Sequence, residues 1–151
     1  SMETCSCAEC VSACNNDPGR LLPKDIPLMA AALAVTPEEL YQRYLVLKVY
    51  RDAKGNRILI PAPVKYKGRN ALAETGSEVP DYYEAERGRC VFLSPSGECL
   101  VHTAKPYECA AYMGCRNTFN GRPYREKQVE DFFMAKWRGV SFLDLLRNPE
   151  K

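Results

Sequence analysis

The sequence predicts a small single α+β domain spanning the whole chain, 1–151. Three observations carry that expectation. Short stretches alternate apolar and polar residues around turn-forming segments, which is the pattern of hairpins. Other stretches repeat apolar residues at helical spacing. Eight cysteines fall into two clusters, separated by 75 residues (15 to 89) that contain no thiol. At 46% apolar and 26% charged residues the composition is that of an ordinary globular chain, long enough to bury a core without covalent staples.

The elements follow in order. Residues 2–19 are read as an irregular thiol-rich loop ending in the turn-forming run Asn15-Asn16-Asp17-Pro18-Gly19. Asp25 is expected to cap a short helix to about Leu33, with Leu28, Met29, Ala32 and Leu33 on one side. Thr36-Pro37-Glu38-Glu39 is a capping box with proline in the first helical position, and Leu40, Tyr44 and Leu47 follow at helical spacing. Val46–Arg51 and Arg57–Pro61 alternate around Asp52-Ala53-Lys54-Gly55-Asn56, so a first hairpin is expected there. Residues 71–81 read as a polar surface loop. A second hairpin is expected where Cys90–Leu93 and Glu98–Val101 flank Ser94-Pro95-Ser96-Gly97, with a cysteine on each strand. Pro106 opens a helical turn carrying Cys109. The C-terminal helices occupy 126–147, with Val129, Phe132, Phe133, Lys136 and Trp137 on the first and Phe142, Leu145 and Leu146 on the second.

Charge and hydropathy exclude several classes. A net charge of +2, from 21 basic and 19 acidic residues, is interspersed along the chain, with no basic stripe of the kind that nucleic acid requires. The longest apolar run, Leu28 to Val35, is far too short for a membrane span. Ser1 ahead of Met2 reads as a remnant of tag cleavage, and no basic-then-apolar export signal follows. The expected location is therefore cytoplasmic, where thiols stay reduced and four disulfides are not expected.

The thiols carry the chemistry. The first cluster is Cys5, Cys7, Cys10 and Cys14, and the second is Cys90, Cys99, Cys109 and Cys115. Thiolates a few residues apart converge on one metal ion more readily than they pair with each other, and zinc or an iron–sulfur cluster matches their softness. Cys7-x2-Cys10 is a local ligand pair of the kind a zinc site uses. A site built from the N-terminal four alone would be crowded, so sites shared between the two clusters are expected, the metal clamping the N-terminal loop to the body. All eight cysteines are candidate ligands. They suit two zinc sites of four thiolates each, or one cluster with spare ligands. In the iron alternative, iron or a 4Fe–4S cluster would take Cys7, Cys10, Cys14 and one later thiol.

The run Gly88-Arg89-Cys90-Val91-Phe92-Leu93, Gly97-Glu98-Cys99-Leu100-Val101-His102, Lys105-Pro106-Tyr107-Glu108-Cys109 resembles the CxxCxxCC (YkgJ-like) family of zinc- or iron-chelating domains. Order and spacing match from Cys90 to Cys115. In the first cluster, Cys7-Ala8-Glu9-Cys10-Val11-Ser12-Ala13-Cys14, Ala13 stands where the family has its third cysteine, and Cys5 is the expected replacement ligand. The resemblance covers about residues 5–116 and implies metal chelation, with no established activity for most members. Some larger proteins with a similar domain modify lysines of flagellin. This chain has neither a glycine-rich S-adenosylmethionine loop nor a C-x3-C-x2-C radical motif, so that activity is not expected here.

The remaining candidates are weaker signals. His102, the single histidine, could ligate a metal or act with Cys109, but eight thiols already suffice. It is expected to hydrogen-bond near the metal and position a thiolate. Arg89 and Lys105 could offset the negative charge of a thiolate site, or lie solvated at the surface. A thiol–disulfide oxidoreductase would need a strand before Cys7, and none is present. Tyr82, Tyr83, Tyr107 and Tyr112 are expected as packing residues more than as a groove. No catalytic constellation is visible, so enzymatic activity is left undecided, and an adaptor role with a protein partner is a third reading.

Overall fold

In the computed structural model, the described residues are 18–96, 98–101, 104–113 and 117–147. The chain enters through a buried segment, Pro18 to Leu22, threaded between later elements. Helix α1 (Asp25–Ala32) buries Asp25, Ile26, Met29 and Ala30 and leaves Leu28 exposed. The expected apolar side of Leu28, Met29, Ala32 and Leu33 is thus rotated. The inward turn of Asp25 places the residues one, four and five positions later against the body. Helix α2 (Pro37–Tyr44) starts as its capping box predicts. Thr36 Oγ1 accepts from the Glu39 N–H at 3.1 Å, and Glu39 Oε1 accepts from the Thr36 N–H at 3.1 Å. It ends before Leu47, because the backbone becomes extended at Leu45 and starts a strand.

Strands β1 (Leu45–Arg51) and β2 (Arg57–Pro63) pair antiparallel from Leu45↔Pro63 to Arg51↔Arg57. Asp52 closes their turn by accepting from the N–H groups of Lys54 and Asn56 at 3.0 and 2.9 Å, and Gly55 supplies the positive φ of 82° that the turn requires. The hairpin is covered on both faces. Leu45 and Leu47 enter the main core, while Val46 packs with Val64 and Tyr83 in a smaller cluster. Strand β3 (Lys65–Lys67) pairs with both β4 (Asn70–Ala71) and β5 (Arg89–Cys90). The expected polar loop at 71–81 runs alongside β1, where Leu47 donates to the Ser77 carbonyl and Val79 donates to the Leu47 carbonyl, each at 2.9 Å.

The second hairpin is reduced to one bridge, Leu93↔Cys99, because Cys90 pairs with β3 instead of continuing the strand. Helix α3 (Tyr107–Ala111) carries Cys109, as predicted. It leads into a three-stranded antiparallel sheet of β6 (Tyr112–Met113), β7 (Thr118–Phe119) and β8 (Arg122–Pro123), which the pattern reading did not anticipate. Helices α4 (Glu126–Trp137) and α5 (Phe142–Arg147) bury Val129, Phe133, Trp137, Phe142, Leu145 and Leu146 as expected, whereas Phe132 is half-buried, Lys136 is exposed and Met134, which the spacing did not single out, is buried. Trp137 Nε1–H donates to the Leu21 carbonyl at 2.8 Å, and the Leu21 N–H donates to the Pro61 carbonyl at 3.0 Å. The entering segment is therefore tied to both β2 and α4.

Candidate metal centre

Cys90, Cys99 and Cys109 are the cysteines among the described residues. Cys5, Cys7, Cys10, Cys14, Cys115 and His102 lie outside them. Cys90 is 5% exposed and stands opposite Lys65 in the β3–β5 pair. Lys65 is itself buried. Its ammonium donates to the carbonyls of Tyr83 and Glu86 at 3.1 and 2.9 Å and sits 4.3 Å from the Tyr83 ring centroid. The strand that carries this thiol is thus paired with one that carries a buried lysine.

From Cys90 the chain turns tightly, the Leu93 N–H donating to the Cys90 carbonyl at 3.0 Å. Leu100 donates to Phe92 at 2.7 Å and Ser94 to Glu98 at 2.8 Å, closing the loop whose base is the Leu93↔Cys99 bridge. Cys90 belongs to the main core and half-buried Cys99 packs against it. Arg89, next in the strand, points elsewhere, to the Gly68 carbonyl at 3.2 Å and over the Tyr66 ring. Alternation along a strand sends neighbours to opposite faces.

Cys109 is held by more elaborate means. Asp25, 6% exposed, accepts on one carboxylate oxygen from the Leu22 N–H at 2.7 Å and from the Tyr107 N–H at 2.8 Å. It is therefore the first residue of α1 and not a cap on it, and it ties the entering segment to the start of α3. Burial pushes its carboxyl above the usual carboxylate range, opposed by these two N–H donors and by the charge of Lys24. The Tyr107 ring anchors the same turn, stacking on Phe132 at 5.6 Å and meeting Phe119 and Phe133 edge-on.

The next residue repeats the link. Glu108 receives the Arg20 N–H at 2.7 Å, Arg20 Nε at 2.8 Å and Arg20 Nη2 at 2.7 Å, and its own N–H donates to the Arg20 carbonyl at 3.3 Å. The guanidinium is 4% exposed, lies over the rings of Tyr50 and Phe133, and has Glu126 at 3.5 Å. Burial opposes its charge. The hydrogen bonds and charge of Glu108, with the charge of Glu126, outweigh that and hold it protonated above its ordinary range. Burial also raises the Tyr50 phenol, which accepts from Arg20 Nη1 at 3.3 Å.

Gly19 completes this contact. A Cβ there would stand 2.6 Å from Cys109 Sγ and 2.9 Å from Cys109 N, so only glycine lets the chain pass this close to the thiol. The segment leaving the first cysteine cluster is thus pressed against a cysteine of the second. Among the described residues, no three Cys, His, Asp or Glu side chains gather closely enough to hold a metal ion. Thiols are a donor set suited to zinc or iron, and the described thiols need further ligands to close a site. The tyrosines do not share one groove. Tyr83 belongs to the small cluster and Tyr82 is exposed, whereas Tyr107 packs with the phenylalanines and Tyr112 meets Tyr124. Asp25, Arg20, Glu108 and Gly19 were not singled out from the sequence as site residues, because their partners lie 82 to 90 positions away.

The fold and these contacts define a class: an α+β domain in which Cys90, Cys99 and Cys109 sit on a packed body, with the segment that follows an early cysteine cluster docked beside Cys109. The chain belongs to the CxxCxxCC family, whose model matches residues 6–131 and is described as "Putative zinc- or iron-chelating domain". The match runs past the expected limit near residue 116, through β7 and β8 into α4, and takes in seven of the eight cysteines, leaving Cys5 just outside. No curated protein and no solved structure matches the chain. Among the described residues, no helix is long and apolar enough to cross a membrane.

Proposed function

We propose that the whole chain, 1–151, is one cytoplasmic metal-binding domain, which holds zinc through thiolates drawn from both cysteine clusters. Cys5, Cys7, Cys10 and Cys14 would supply one part of the ligand set, and Cys90, Cys99, Cys109 and Cys115 the other. The observation that carries this reading is the contact of the Gly19 backbone with the Cys109 thiol. Cys14 precedes Gly19 by five residues, so covalent geometry alone keeps its Cα within about 18 Å of that point. A site shared between the clusters is therefore within reach of the chain.

Bound zinc would cross-link the N-terminal loop to the body and neutralise thiolate charge. A shell of four thiolates leaves no position open for substrate, which favours a structural over a catalytic metal. Iron, as the ion or in a 4Fe–4S cluster, is the second reading, favoured by a family description that names both metals. The test is metal content and thermal stability of Cys10→Ser and Cys109→Ser, one from each cluster. Both variants are expected to lose metal and melt lower. Wild-type metal content and melting in both would overturn the shared site.

A further inference from the structure

We infer that Arg20 and Glu108 are positioning residues for the metal site: together they hold Cys109 in register with the chain arriving from the first cysteine cluster before any metal binds. The inference rests on the shared-site reading above and adds what sets the affinity of that site.

The geometry is specific. The Arg20 backbone and Glu108 exchange bonds in both directions, the Arg20 N–H to the Glu108 carboxylate at 2.7 Å and the Glu108 N–H to the Arg20 carbonyl at 3.3 Å. The guanidinium then grips the same carboxylate through Nε and Nη2 at 2.8 and 2.7 Å. Four bonds between two residues fix translation and rotation of one segment against the other. Glu108 is adjacent to Cys109, and Arg20 is adjacent to Gly19, whose backbone abuts the Cys109 thiol. The pair therefore sets the position of the thiol relative to the backbone of Gly19, five residues after Cys14 in sequence.

A surface ion pair would contribute little, but this one is enclosed: Arg20 is 4% exposed and is flanked by the rings of Tyr50 and Phe133. In some proteins a buried pair specifies register more than it adds stability, and that is the role assigned to this one. Pre-organised ligands lose less conformational freedom on binding, so loosening the register is paid as affinity. Residues that orient ligands from behind typically alter metal affinity by about 10–100-fold when substituted.

The experiment measures zinc affinity by chelator competition and the absorption spectrum of the cobalt-substituted protein. It uses wild type, Glu108→Gln, Arg20→Lys and a reference variant, Leu145→Ala. Leu145 is a core residue of α5, the helix that packs on α2, and has no bond to Arg20 or Glu108, so its truncation lowers stability through the core alone. Expected are zinc affinities about tenfold weaker in Glu108→Gln and Arg20→Lys, with a shifted cobalt–thiolate band, and wild-type affinity and spectrum in Leu145→Ala. Should Glu108→Gln not fold, Arg20→Lys retains the charge and loses only the forked geometry, and gives the same reading. Unchanged affinity in the folded variants, or equal weakening in Leu145→Ala, overturns the inference. A wild type that binds neither zinc nor cobalt overturns the shared-site reading instead.

Discussion

Replacing Gly19 by alanine tests the contact on which the proposed site rests. The new Cβ would lie 2.6 Å from Cys109 Sγ, 2.9 Å from Cys109 N and 3.1 Å from Glu108 Cβ. Ordinary contact needs about 3.5–4 Å, so the two segments must separate by about 1 Å. They cannot do so freely, because Asp25 pins the start of α3 and Glu108 pins its second residue to Arg20. Overpacking of this kind costs about 1–3 kcal/mol, and the rigid backbone on both sides places it in the upper half of that range. The backbone at Gly19 is not in the left-handed region, so alanine also gains about 0.4–1 kcal/mol by restricting the unfolded chain. The net loss is about 1–2.6 kcal/mol, or a fall in Tm of about 2–10 °C for a domain of this size. Thermal unfolding followed by circular dichroism reads the loss, and elemental analysis reads the accompanying fall in bound metal. A variant as stable as wild type, with full metal content, would refute the close approach of Gly19 to Cys109.

Two further predictions concern the contacts around the site. Asp25 has its carboxyl raised by burial, so between its unfolded and native values the folded chain binds the extra proton; its stabilising contribution is complete below the ordinary Asp range and is lost as pH rises through the raised native value. The difference between wild type and Asp25→Asn in denaturant titrations across that range is expected to show this loss, and parallel profiles would contradict it. Trp137, the single tryptophan, is 2% exposed and bonded to Leu21, so its emission reports docking of the entering segment. Stripping metal with a chelator is expected to lower Tm while leaving the buried-tryptophan emission in place, since the body has a core of its own; a red shift on chelation alone would show that the docking depends on metal.

Much of the fold was legible where local chemistry acts alone. The Thr36 capping box, the Asp52–Asn56 turn and the apolar spacing of α4 and α5 each satisfy their own neighbours, and each appears where expected. The β7–β8 hairpin had a local signal that went unread. Asn120-Gly121, with φ of 53° and 76°, is the pair that a tight hairpin turn favours. Other features had no local signal. Nothing in the neighbourhood of Asp25 shows that its carboxylate will serve Tyr107, and nothing near Cys90 shows that its strand will pair with Lys65. The thiols announce themselves by spacing, but the groups that seat Cys109 come from the far end of the chain. A carboxylate that bonds across 82 residues cannot be told, in sequence, from a helix cap.

The central claim is that thiolates of both clusters hold a metal, and metal analysis with an absorption spectrum on protein purified without oxygen tests it most directly. The account predicts about one or two zinc ions per chain and no visible absorption, since zinc has a filled d shell. Protein that carries no metal and takes up none on titration would contradict it, and iron with labile sulfide and a visible charge-transfer band would replace zinc with a cluster.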